Sequence, residues 1–126
     1  AKLGLVPDSA GTWTLPRVAG MARALGLALL GDKLPAEQAA AWGMIWRCVD
    51  DAEFGSVVDE LAVRLAQAPT LGLTRTKQAM YGAWSRNLEA ALDCERDAQR
   101  ELGGSEDYAE GVAAFSQKRS PRFVGR

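Results

Sequence analysis

The chain has 126 residues, 15 Lys and Arg against 16 Asp and Glu, a formal net charge of −1, 48% hydrophobic residues and no histidine. This balance excludes a disordered chain and a basic nucleic-acid-binding surface. Without histidine, the chain holds no His-dependent triad and no His-ligated zinc site, so acid/base chemistry falls to carboxylates, Lys, Tyr or Cys.

The first element is Lys2–Pro16, with one acid, Asp8, among apolar and small residues. Pro7 fixes its own φ and biases Val6 to extended geometry, so the spacing predicts an extended approach, a turn at Pro7-Asp8 and a helix from Gly11 or Thr12. Two readings of Asp8 stay open. Its carboxylate caps the following helix, or it sits on a rigid turn in an apolar pocket, where desolvation suits it to moving protons. Trp13 is read either as a wall of an acyl pocket or as a packing residue.

Residues 19–30 read as a helix with Met21, Leu25 and Leu29 on one side and Gly31 as its stop. Pro35 opens a short helix through Trp42, ended by Gly43. Residues 44–49 alternate as a short strand, apolar on both faces and therefore expected to be buried. Asp50 or Asp51 then caps a helix with an apolar stripe of Phe54, Val57, Val58, Leu61, Ala62 and Leu65, closed by Pro69.

A sub-domain boundary is expected at about residue 69, dividing the chain into 1–69 and 70–126. Helical hairpin material follows: a helix over 70–84, a second over 88–102 capped by Asn87 and broken at Gly103-Gly104, and a third capped by Ser105 and stopped before Pro121. The fold class is therefore mainly α with one short strand. The longest apolar run, residues 24–30, is far short of the ~20 residues that span a bilayer. Cys48 and Cys94 lack metal-ligand spacing and read as small buried groups in a reducing cytoplasm. No metal site is expected.

Residues 4–13, Gly-Leu-Val-Pro-Asp-Ser-Ala-Gly-Thr-Trp, followed by Leu15-Pro16-Arg17, resemble the acid/base segment of the enoyl-CoA hydratase/isomerase (crotonase) superfamily. The resemblance continues through residues 22–31, 34–39, 42–45 and 120–123, in order along the whole chain. It implies that residues 1–69 end a ββα spiral core and that residues 70–126 form a helical trimerisation and CoA-proximal region. It also implies that the chain is the C-terminal half of a longer protein whose missing half supplies the oxyanion-hole amides.

Asp at position 8, where hydratases of the superfamily typically have Gly, implies an isomerase, with phenylacetate breakdown as the implied pathway. The same resemblance makes Asp8 the proton shuttle and puts Phe115 and Lys118 beside the adenine and phosphates of coenzyme A. Read from the residues alone, Lys118 equally answers the helix macrodipole. Ala10 departs from the family, which usually has Gly there; a left-handed backbone at Ala10 costs ~1–2 kcal/mol. The implied partners are an acyl-CoA substrate and further copies of the chain, as a homotrimer or dimer of trimers, with no separate cofactor. Double-bond isomerisation or hydration of an enoyl-CoA is an alternative activity, and a non-catalytic helical oligomerisation module is the rival class.

Overall fold

A computed structural model describes residues 2–126. Its elements are α1 Gly11–Ala19, α2 Met21–Leu30, α3 Ala36–Ala41, α4 Asp51–Ala66, α5 Thr70–Ala83, α6 Leu88–Gly103 and α7 Glu106–Ser116. The described residues cluster into two compact units, one ending at Phe54 and the other spanning Gly55–Arg126, so the division of the chain falls within α4.

In the first unit α1 packs on α2. The helix expected from residue 19 starts only at Met21, because Gly20 adopts φ 80, ψ 155 and ends α1 while opening α2. Side chains disfavour that backbone region, so this glycine makes a corner rather than a weak helical residue. Ala19 and Ala24 flank the corner and are buried, which lets the two helices approach closely. Gly31 stops α2 in the left-handed region at φ 65, as its position indicated.

Pro35 is the N-cap of α3, and Gly43 ends that helix at φ 75. The Met44 amide donates to the Ala39 carbonyl at 2.9 Å and the Gly43 amide to Ala40 at 3.0 Å, the paired bonds of a Schellman motif.

The expected strand over residues 44–49 does not form. Bends and irregular backbone run from Met44 to Asp50, and Ile45 and Trp46 are exposed rather than buried. A strand requires a neighbouring backbone to satisfy its amides and carbonyls. No strand occurs among the described residues, so the alternating pattern has nothing to pair with.

In the second unit α5 packs on α6 and α6 on α7. Arg75 grips Glu101 through two hydrogen bonds, 2.7 and 2.6 Å long, joining α5 to α6. Both expected side-chain caps are present. Asn87 Oδ1 accepts from the Ala90 amide at 2.9 Å, and Ser105 Oγ accepts from the Tyr108 amide at 3.0 Å. Pro69 is the N-cap of α5, whereas α4 already ends at Ala66.

The expected apolar stripe of α4 lies on a helix, but Phe54, Val58 and Leu65 are exposed. Among the described residues the buried apolar side chains are alanines: Ala19, Ala24 and Ala114. Small residues thus make the close helix contacts, and many large apolar side chains are left exposed.

Candidate active site

Asp8 and Trp13 belong to the first unit, Phe115 and Lys118 to the second. Each pair is built by its own local geometry.

At Asp8 the chain turns through two consecutive left-handed residues, Ser9 at φ 49 and Ala10 at φ 65. Neither is glycine, and each such residue costs about 1–2 kcal/mol. The Asp8 carbonyl accepts from the Gly11 amide at 2.7 Å and closes the turn. The N-cap of α1 is Ala10, with no side-chain cap hydrogen bond. The capping reading of Asp8 is therefore corrected: its backbone carbonyl, not its carboxylate, engages the helix start. Two left-handed residues place the Asp8 side chain outside the cap position.

Among the described residues no hydrogen bond or ion pair holds the Asp8 carboxylate. It is exposed in this chain, not enclosed in the expected apolar pocket. Leu3, Leu5 and Val6, just ahead of it, are also exposed. Asp8 thus follows a run of exposed apolar side chains.

Trp13 lies two residues into α1 and is 47% exposed. Arg17, one turn on, places its guanidinium carbon 4.0 Å from the ring centroid and donates to the Trp13 carbonyl at 2.7 Å. This i,i+4 pair steadies one ring face through a cation–π contact. The i,i+4 spacing of Trp13 and Arg17 makes this contact legible in the sequence.

Phe115 sits in the last turn of α7 and is 87% exposed. It lines an open apolar cavity of about 440 Å³ with Leu71, Leu102, Tyr108, Val112 and Phe123. Lys118 follows at φ 52, a non-glycine residue in the left-handed position after a helix end. Its amide donates to Phe115 at 3.2 Å and that of Arg119 to Ala114 at 3.0 Å, a second Schellman closure. Lys118 does not line the Phe115 cavity.

The neighbouring basic residue is engaged elsewhere. Arg119 donates to both Glu110 oxygens at 2.6 and 2.8 Å, and the Arg122 amide adds a bond of 2.7 Å. The Arg119 hydrogen bonds first, then the Arg122 amide, hold the Glu110 carboxyl down at about 2. Asp107, 5% exposed, accepts from the Val124 and Gly125 amides at 2.6 and 2.9 Å. These two carboxylates tie the C-terminal segment to α7, a role that composition gave no means of reading.

Among the described residues no three His, Cys, Asp or Glu side chains converge to hold a metal. Cys48 and Cys94 are free and half-buried. No helix of the described residues is long and apolar enough to cross a membrane.

An uncapped acid on a strained turn before a helix, in a chain of packed α-helices, can be compared with known proteins. The sequence matches the family described as "Enoyl-CoA hydratase/isomerase" over residues 1–126. The chain belongs to this family. Among its enoyl-CoA hydratase/isomerase relatives, a 1,2-epoxyphenylacetyl-CoA isomerase of Escherichia coli K12 is 57% identical over 126 residues, covering all of this chain and 48% of that protein. A trans-2-decenoyl-[acyl-carrier-protein] isomerase of Streptococcus mutans is 29% identical, over 98% of this chain and 47% of its own length. An enoyl-CoA hydratase structure from Bacillus anthracis superposes with a TM-score of 0.92 at 27% identity, across 99% of this chain and 48% of that one. The chain spans about half the length of these relatives.

Proposed function

We propose that the protein containing this chain is an acyl-CoA isomerase that acts on 1,2-epoxyphenylacetyl-CoA in phenylacetate catabolism. The 57% identity to the E. coli isomerase along the full 126 residues carries this reading. Asp8 is the proton shuttle: its carboxylate is not consumed by the α1 cap and so remains for chemistry. It takes a proton from one carbon of the thioester substrate or returns one to another. Backbone amides outside this chain stabilise the enolate-like thioester oxygen.

The exposed Leu3, Leu5 and Val6 await a covering surface, and that cover dries the Asp8 carboxylate. Trp13 forms part of the acyl wall, Phe115 flanks the adenine, and Lys118 meets a phosphate. No cofactor is required beyond the CoA carried by the substrate. The exposed apolar helix faces fit burial between copies in a homotrimer or dimer of trimers. The locale is cytoplasmic. On its own this chain, without the oxyanion donors, is inactive.

In the full-length enzyme, Asp8→Asn should lower isomerisation by about 10²-fold or more while acyl-CoA binding, measured by calorimetry, persists. Near-normal turnover removes Asp8 from the mechanism. The S. mutans relative favours double-bond isomerisation as a second reading, and a substrate panel of epoxide against enoyl-CoA thioesters separates the two. The exposure of Asp8 favours a non-catalytic helical module as a third; it predicts no acyl-CoA binding by the full-length protein.

A further inference from the structure

We infer that the left-handed pair Ser9-Ala10 is a positioning device, which holds the Asp8 carboxylate off the N-terminus of α1. An aspartate just before a helix ordinarily folds back and accepts a backbone amide in the first turn. Here three observations oppose that. Ser9 and Ala10 stand at φ 49 and φ 65. The Gly11 amide is taken at 2.7 Å by the Asp8 carbonyl. The N-cap position belongs to Ala10, whose methyl group accepts nothing.

Pro7 adds rigidity, lying 3.1 Å from where a Cβ on Gly11 would stand. A substituent at Gly11 would press on the proline ring, so Pro7 packs closely against the start of α1. The backbone thus bears strain at two residues, and the result is one carboxylate left without a structural partner. Strain of this kind persists where the surroundings over-determine it and where it serves a site. The left-handed backbone at position 10, rather than its side chain, sets the aim of Asp8.

This inference rests on Asp8 as the proton shuttle, and its test separates the two. In the full-length enzyme, Ala10→Val disfavours the left-handed backbone, whereas Ala10→Gly and Ala10→Asn accept it. Turnover of 1,2-epoxyphenylacetyl-CoA by folded Ala10→Val should fall about tenfold or more in kcat with KM within about twofold, the mark of misplaced chemistry rather than lost binding. Ala10→Gly and Ala10→Asn should keep kcat within about threefold, because each preserves the turn.

An unchanged kcat in folded Ala10→Val overturns the inference, as does a tenfold loss in either tolerated variant. Where Ala10→Val does not fold, the Gly and Asn variants decide by the same limits. Asp8→Asn, measured beside them, tells which idea has failed. Loss there with an indifferent Ala10→Val sinks the positioning role alone. Full activity in Asp8→Asn sinks the shuttle, and the positioning role with it.

Discussion

The two units differ in how far side chains hold the chain beside their helices. In the second unit Asn87 and Ser105 cap the starts of α6 and α7, and Asp107 and Glu110 bind the backbone of the C-terminal segment, although α5 starts at Pro69 with no side-chain cap. In the first unit the backbone does it: Gly20, Gly31 and Gly43 turn the chain, and Ala10 opens α1 without a side-chain cap. Both units force non-glycine residues into the left-handed region, yet with different returns. Lys118 closes a Schellman motif at a helix end, while Ser9 and Ala10 form the turn that opens α1, closed by the Gly11 amide on the Asp8 carbonyl. Polar side chains that stabilise the second unit are tied to it. Asp8, in the first, has no hydrogen bond or ion pair among the described residues.

The contrast is open to breaking, and the largest expected effect is at Asp107. Asp107→Ala leaves the Val124 and Gly125 amides without their acceptor and should cost about 2–4 kcal/mol in urea unfolding of the full-length protein. Hydrogen exchange at these two amides should rise with it. An unchanged midpoint would mean that the carboxylate is not structural.

Acid tests the same segment through Glu110. Its carboxyl is held at about 2 against an ordinary 4.5. The folded state therefore binds this proton less readily than the unfolded state. The stabilisation is full above pH 4.5 and is lost as the pH falls through 2. Exchange at the Arg122 amide should accelerate across that window and Glu110→Gln should flatten the dependence.

Ser105→Ala and Asn87→Ala should each cost about 1 kcal/mol, read as a lower melting midpoint. The smallest effect expected is a gain. Lys118→Gly should raise stability by about 0.5 kcal/mol, because relief of left-handed strain slightly exceeds the added freedom of the unfolded chain. A loss of stability at Lys118→Gly would show that the lysine side chain contributes more than its backbone strain costs.

Much of both units was legible where a single residue type dictates local geometry. Pro7 predicted the turn before α1, Gly31 and Gly43 predicted the ends of α2 and α3, and the caps at Asn87 and Ser105 were readable from residue type and position. The corner at Gly20 was not legible, since a glycine between two helical patterns serves equally as a tolerated residue or a corner. At Asp8 the candidate residue was legible but its state was not. Whether an aspartate caps depends on the φ of the two residues after it, and Ser9 and Ala10 are types that rarely enter the left-handed region.

The sequence by itself determined the helical periodicity, the turn residues and the family, because these depend on the properties of each side chain and its near neighbours. Tertiary structure decided what depends on distant partners. Residues 44–49 have strand-like alternation but no strand beside them among the described residues, and α4 carries an apolar stripe in which Phe54, Val58 and Leu65 stay exposed. Asp107 and Glu110 became anchors only when the C-terminal segment returned to α7. Hydrogen bonds and burial are properties of pairs, and a pattern along one segment carries no information about where its other half lies.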